Sequence, residues 1–285
     1  MNDSGSLYIV ATPIGNLDDI SLRAIEILKS VQLIAAEDTR HSKKLIQSIQ
    51  VDTPLISYHD FSSESATRKI LDKLQAGLSI ALISDAGTPL ISDPGYKLVC
   101  MARQLSIEVL PVPGPCAVTA ALSVAGLATD RFVFEGFLSA KSGARQKRLQ
   151  ALAREMRTIV FYESPHRIEV CVEDMALVFG ADRQVFIARE LTKKFESHFL
   201  GSMADCVLWL KSDSNNQKGE FVVVVSGCNE EEDQLRKQQQ ALEIVELLRR
   251  EVSMKQAVAI ASKITGARKN KLYEIALNNV NFDDA

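Results

Sequence analysis

The feature that most constrains the fold of this chain is an alternation of short apolar runs with amphipathic stretches, sustained from residue 7 to about residue 226. The runs 7–12, 32–36, 55–58, 79–84 and 107–110 are rich in Val, Ile and Leu and bounded by turn formers, which predicts buried strands. Between them, residues 21–31 set Leu22, Ile25 and Leu28 on one helical face, with Asp18 and Asp19 as candidate caps. Residues 63–76 repeat the pattern and stop at Gly77, a residue suited to end a helix. Strands that alternate with helices join parallel neighbours, so the pattern predicts an α/β sheet.

A second series follows Gly126, with strands predicted at 131–137, 158–162, 184–188, 196–200 and 221–225 and helices over about 142–156, 166–179 and 202–211. Only a short loop near Lys193 separates two of these strands, so part of this second sheet is expected to be antiparallel. We therefore expect two α/β domains, 1–118 and 119–228, joined near residues 111–128. After Gly227 the texture changes. Glu230, Glu231, Glu232 and Asp233 read as a solvated acidic linker, because adjacent like charges repel. Residues 234–285 then form a helical tail, with Leu235, Leu242, Val245 and Leu248 at helical spacing and Ser253 to Gln256 as a capping box. A short helix ending at Thr265 and Gly266, followed by another over 272–280, resembles a helix-turn-helix; a helical hairpin packed on the body is the plainer alternative.

Composition bounds the function classes. With 46% hydrophobic and 24% charged residues among 285, the chain holds enough apolar surface to exclude wholesale disorder. The five cysteines are scattered and never in a C-x-x-C pair, which favours reduced thiols over a disulfide frame or a metal site. No signal-like segment and no run of 18 apolar residues is found, so a cytoplasmic location without a membrane partner is expected. A net charge of −3 argues against a polyanionic partner. Locally the sum reverses. From 141 to 157, Lys141, Arg145, Lys147, Arg148, Arg154 and Arg157 face only Glu155, a sum of +5; from 249 to 271, seven basic residues including Arg268, Lys269 and Lys271 face only Glu251, a sum of +6. Each is a candidate RNA-landing surface or simply a solvated helix face.

Ligands of α/β sheets collect beyond the carboxyl ends of the strands. The loop after the first strand, Ala11 to Leu17, holds a single glycine, so the G-x-G-x-x-G dinucleotide fingerprint is absent. The loop Ser84 to Gly95 is denser, with two Asp, two Gly, two Pro, a Thr and two Ser; glycines that permit close backbone approach beside two carboxylates favour a ligand cradle over a purely structural loop. Pro111 to Ala117 runs directly into a helix whose first amides can hold an anion.

These loops, read in order, carry a resemblance. The runs LYIVATPIGNLDDIS (7–21), AAEDTRHSKKLI (35–46), SDAGTPLISDPG (84–95), PVPGP (111–115) and FYESPHRI (161–168) resemble the tetrapyrrole methylase family, and within it the branch that acts on small-subunit ribosomal RNA. The similarity covers almost the whole chain, including the tail. It implies a two-domain α/β fold of the class III S-adenosylmethionine methyltransferases with a small helical C-terminal extension. It implies 2′-O-ribose methylation of a cytidine in the decoding region of 16S ribosomal RNA, S-adenosylmethionine as the cofactor, and a homodimer. By residue, it implies that Pro13, Ile14, Asp85, Ala86, Gly87 and Thr88 lie around the cofactor, with Tyr162, Glu163, Ala188, Glu220 and Phe221 contributed by the second domain. Cys116 and Ala117 stand where relatives often carry a Ser or Thr that contacts the same ligand, a departure from the family pattern.

A ribose hydroxyl is a weak acid, so a base or a cation near it is expected to assist transfer. Asp38, Arg40, His59, Glu163, His166, Arg189 and Glu190 are the candidates, with Glu163 and His166 expected nearest the chemistry and Arg40 also a candidate RNA contact. The plainer reading of Arg40, Arg167 and Arg189 is structural ion pairing. Two other functions fit less of the sequence: methylation of a tetrapyrrole or a protein side chain on the same fold, and a non-catalytic RNA-binding protein that has lost the cofactor.

Overall fold

The computed structural model describes residues 4–283. Five strands, β1 (Leu7–Val10), β2 (Leu33–Ala36), β3 (Leu55–Ser57), β4 (Ile80–Ile83) and β5 (Val109–Val112), form the first sheet in the order β3-β2-β4-β1-β5, with every pair parallel. Its central strands β2 and β4 are buried at every position, on both faces. Leu7, Leu33, Ile80 and Leu82 pack with Leu71, Leu74 and Leu98 on one side, while Val10, Ile34, Ala81 and Ile83 pack with Ala24, Leu28 and Ile46 on the other. Helices α1 (Leu22–Ser30) and α2 (Thr39–Ser48) therefore cover one face, and α3 (Glu64–Gln75) and α4 (Tyr96–Gln104) the other. This two-sided burial explains why the strands read as continuous apolar runs.

The caps differ from expectation at α1. Ser21 is its N-cap, its hydroxyl accepting from the Ala24 amide at 3.1 Å, while Asp18 and Asp19 lie in a preceding 3-10 turn capped by Asn16. Helices α2 and α4 are absent from the sequence reading. Only Ile46 and Ser42 of α2 are buried, too little for an apolar stripe, and α4 starts at Gly95 without a side-chain cap.

The second sheet contains β6 (Phe132–Phe137), β7 (Thr158–Glu163), β8 (Gln184–Arg189), β9 (Ser197–Ser202) and β10 (Phe221–Val225) in the order β6-β7-β10-β8-β9. Strands β6 and β7 are parallel; the other three pairs are antiparallel, including the β8–β9 pair expected from the short connection near Lys193. Helix α5 (Ala117–Val124) follows β5 through Pro113, Gly114 and Pro115, and packs Val118, Ala121 and Leu122 on Val160, Phe186, Val222 and Val224 of this second sheet. Helices α6 (Ser142–Leu152), α7 (Ile168–Phe179) and α8 (Met203–Ser212) complete it.

The chain divides into two compact units: one holds both sheets, reaching to Gln150 and resuming at Thr158–Ser226, and the other joins Ala151–Arg157 to the chain from Gly227 onward. In the second unit, α9 (Glu230–Leu248), α10 (Met254–Thr265) and α11 (Lys269–Asp283) meet through small side chains, Ala241, Ala257, Ala261 and Ala276, around Val245, Val258 and Leu272. Gln256 reaches back to accept from the Ser253 amide at 3.2 Å, as the capping-box spacing predicts. The acidic run 230–233 is not a linker but the first turn of α9, where the positive end of the helix dipole favours acidic residue types.

Arg145 corrects the reading of the first basic segment. It is 4% exposed, and its guanidinium meets Asp174 of α7 at 2.6 Å and also donates to the Ser139 and Ala140 carbonyls. Asp174 accepts further from Gln146 at 2.6 Å and Ser142 at 3.2 Å. Asp174→Ala strands a buried cation, so we expect a loss of about 3–5 kcal/mol in urea unfolding, whereas Lys147→Ala on the exposed face of α6 changes stability by under about 0.5 kcal/mol.

Candidate active-site cleft

Three loops at the carboxyl end of the first sheet are tied to one another. Thr12 and Gly87 exchange two backbone hydrogen bonds, at 2.9 and 3.0 Å, which form an isolated antiparallel bridge. The Thr12 hydroxyl donates to the Ser84 carbonyl at 3.2 Å, and the Thr88 hydroxyl to the Pro115 carbonyl at 3.0 Å. Gly87 has φ +88°, a left-handed conformation that other residues adopt at a cost, and its bare α-carbon leaves only van der Waals room toward Ile14. Loop one, the Ser84–Gly95 loop and the start of α5 thus form one wall.

The second sheet supplies the other wall with Phe137, Tyr162, Glu163, Ser164 and Pro165, then Ala188, Leu191 and Lys193, then Glu220, Phe221 and Val222. The cleft between the two walls measures about 350 Å³, a volume in the range of sites for small ligands and cofactors. Ten residues expected around a cofactor line it: Ile14, Ala86, Gly87, Thr88, Ala117, Tyr162, Glu163, Ala188, Glu220 and Phe221.

Three do not. Pro13 and Asp85 line a separate cavity of about 140 Å³ with His41, Ser42 and Lys44. The Asp85 carboxylate accepts from the Asp38 amide at 3.1 Å, so it secures the entry into α2. Cys116 is the N-cap of α5 and makes no side-chain cap hydrogen bond there; its thiol lies beside the Tyr162 hydroxyl, which burial and this neighbour hold above its ordinary pKa.

The sequence reading missed Ile91, Ser92, Asp93, Phe137, Ser164, Pro165, Leu191, Lys193 and Val222. Asp93 stood in the loop already singled out, but nothing in the spacing distinguished it from Asp85. The structure does: burial pushes its carboxyl up to about 7, the Ser84 hydroxyl opposes the shift, and Glu37, Asp85 and Asp60 reinforce it. Lys193 is held by Glu190 and Glu220, each at 2.8 Å. Burial disfavours its charge, but these two carboxylates outweigh that and keep its pKa raised.

The two groups expected nearest the chemistry are not brought together. Glu163 lines the cleft and is 3% exposed, with its Oε1 2.7 Å from the Arg167 guanidinium and accepting from the Ser164 amide at 2.8 Å. His166 is exposed and is not part of the lining, because the chain turns outward after Pro165 before entering α7. His59 is also exposed. Arg40 pairs with Asp38 at 3.1 Å and Arg167 with Glu163, as the ion-pair reading expects, whereas Arg189 instead donates to the Lys218 and Phe195 carbonyls. Asp38 is in turn held down to about 2 by Arg40. Glu190 is committed to Lys193.

Of the proposed RNA contacts, Arg40, Lys141, Lys147, Arg148, Arg268, Lys269 and Lys271 are exposed, and Arg145 is not. Arg148 is paired with Glu135 at 2.7 Å and Arg157 with Glu155 at 2.7 Å, so the +5 segment presents much less free charge than its sum suggests. Among the described residues, no helix is long and apolar enough to cross a membrane.

Residues 6–206 match the family model of the Tetrapyrrole (Corrin/Porphyrin) Methylases. The chain belongs to the tetrapyrrole methylase family. Residues 237–279 match the RsmI C-terminal HTH domain, in agreement with the helix-turn-helix resemblance of the tail. A protein of Pseudomonas aeruginosa called ribosomal RNA small subunit methyltransferase I is 51% identical over 96% of this chain and 97% of its own length. A Vibrio cholerae protein of the same name is 47% identical over 98% and 96%. Among solved structures, a uroporphyrin-III C-methyl transferase from Thermus thermophilus complexed with S-adenyl homocysteine has a TM-score of 0.55 at 17% identity, covering 78% of this chain and 97% of its own. A diphthine synthase has a TM-score of 0.59 at 13% identity, covering 78% and 90%. Both likenesses are of fold.

Asp93 sets a testable pH dependence. The unfolded chain releases this proton near 3.8 and the folded chain near 7, so the folded state loses stability as pH rises through that window and bears the whole cost above it. Asp93→Asn is therefore expected to stabilise the protein at pH 8, by about 1–2 kcal/mol once solvent screening of this partly exposed carboxylate is allowed for, with the difference shrinking toward zero near pH 4 in urea titrations.

Proposed function

We propose that this chain is a S-adenosylmethionine-dependent methyltransferase that methylates the ribose 2′-hydroxyl of a cytidine in the decoding region of 16S ribosomal RNA, acting on the small ribosomal subunit as a cytoplasmic homodimer. The observation that carries this reading is the near-full-length similarity, tail included, to proteins named for small-subunit ribosomal RNA methylation. In this reading residues 1–118 and 119–228 are the two halves that enclose the cofactor, and 234–285 is an RNA-contacting extension.

The cleft fits the cofactor chemically as well as in size. Its lining joins apolar side chains, Ile14, Ala117, Leu191 and Phe221, to the acidic Asp93, Glu163 and Glu220. Such a surface suits a ligand with an apolar purine face and cationic sulfonium and ammonium groups. When bound, S-adenosylmethionine supplies a methyl group already activated on sulfur. The part left to the protein is chiefly alignment, an effect worth up to ~7–11 kcal/mol for well-oriented reactants. Glu163, fixed by Arg167 and the Ser164 amide, holds its side of the cleft rigid. Asp93, whose charge is costly to bury, gains a partner when a cation binds beside it.

Three measurements test this reading. Calorimetry is expected to show S-adenosylmethionine binding that tightens as pH rises through about 7, because only ionised Asp93 attracts a cation, and that Asp93→Asn weakens by about ten-fold. Absence of binding at millimolar ligand overturns the enzyme reading. In a strain lacking the gene, nucleoside mass spectrometry is expected to show loss of 2′-O-methylcytidine from 16S ribosomal RNA; an unchanged content with intact cofactor binding points instead to a tetrapyrrole or protein acceptor. Arg268→Glu with Lys271→Glu is expected to lower methylation of small subunits by about ten-fold or more and leave cofactor affinity unchanged.

A further inference from the structure

The cleft has a buried floor and an exposed rim, and the rim carries a large aromatic side chain. Phe137, the last residue of β6, lines the cavity and is 54% exposed, whereas Phe221 on the floor is 2% exposed. An exposed phenyl ring gains nothing for the core.

Its orientation is set by an irregularity of the strand. Side chains alternate across a regular strand, so Phe134 and Phe137, three residues apart, belong on opposite faces of the sheet. Here both rings stand edge-on to Tyr162 of β7, with centroids 4.9 and 5.6 Å away. The register explains it: Phe134 pairs with Val160, but Gly136 pairs with Phe161 and Phe137 with Tyr162, so Glu135 is an extra residue in a β-bulge. The bulge turns Phe137 onto the face of Tyr162. Bulges of this kind re-aim side chains next to active sites. Gly136 has φ +65°, and a Cβ on it would lie 2.9 Å from the Ser92 hydroxyl. The glycine therefore also admits the Ile91–Asp93 stretch of the opposite wall, which brings Ser92 and half-exposed Ile91 to the same rim.

We propose that Phe137 is the stacking platform for the nucleobase of the acceptor nucleotide. The inference rests on the ribosomal RNA reading above and adds to it the residue that orients the acceptor. A 2′-hydroxyl buried in a helical RNA cannot enter a cleft of about 350 Å³ unless its nucleotide leaves the stack, and an aromatic face at the rim replaces the lost stacking. Phenylalanine offers no hydrogen bond, so Phe137 positions the base without reading its identity.

The test compares Phe137→Ala, Phe137→Leu and Phe137→Trp with the parent, using small ribosomal subunits from a strain that lacks this methylation. Initial rates of methyl incorporation give kcat/KM for subunits, and calorimetry gives S-adenosylmethionine affinity. Loss of one base–aromatic stack predicts a fall of about ten-fold or more in kcat/KM for Ala, and a similar fall for Leu, which keeps apolar bulk without the π face. Trp is expected to return the value to within about three-fold of the parent, and in all three any change in cofactor affinity is expected to be much smaller than the fall in kcat/KM that Ala and Leu show. Leu at wild-type kcat/KM overturns the proposal. So does a loss of cofactor affinity parallel to the loss of rate, which makes Phe137 a wall of the cofactor site. A parent that binds cofactor but methylates no subunits refutes the function proposed above and the stacking role with it, an outcome separable from an active parent with indifferent variants.

Discussion

The reciprocal hydrogen bonds between Thr12 and Gly87 are the constraint on which the cleft depends. They join the loop after β1 to the loop after β4, two strands that are already neighbours in the sheet, and so convert two separate connections into one rigid surface. A third connection is added through Thr88 and the Pro115 carbonyl. Irregular backbone near a cavity leaves amide and carbonyl groups that need partners, and here the loops satisfy one another. Helix α5 begins directly after this point and lies on the second sheet, so the wall built by the first sheet is carried against the second by a single short helix.

Electrostatics divides the molecule by location. The cleft concentrates carboxylates, Asp93, Glu163 and Glu220, with Lys193 tied to Glu220 and to Glu190, while exposed Arg268, Lys269 and Lys271 lie in the helical unit. One region is suited to a compact cation and the other to a polyanion. A near-neutral net charge is what remains when such opposite regions are summed.

Much of the fold was legible from residue pattern. The ten described strands overlap the stretches predicted for them, and the compositional mark is strongest at β2, β4 and β10, which are buried at every position. Helix α2 was not legible: Thr39–Ser48 is mostly polar, and its N-cap Asp38 is held by the Asp85 carboxylate, a contact 47 residues away. Within the cleft, the loops that carry glycine and proline announced themselves, whereas Phe137, Leu191 and Lys193 are ordinary residues brought there by strand register. The choice between Asp85 and Asp93 turns on which carboxylate finds a backbone amide, and no spacing rule encodes that. Arg145 failed as a surface charge for a similar reason, since its partner Asp174 is 29 residues away.

The order of the strands along the chain separates the two halves in time as well as in space. The first sheet is complete once Val112 has emerged, for all five of its strands lie N-terminal to that point. The cleft is not, because Phe137, Tyr162, Ala188 and Val222 come later and the central strand of the second sheet, β10, comes last. During synthesis the N-terminal half can therefore fold while possessing only one wall of the cavity. A small molecule that fills the cavity has nothing to hold until nearly the whole catalytic portion exists, so it stabilises the finished protein and leaves the nascent one unaided.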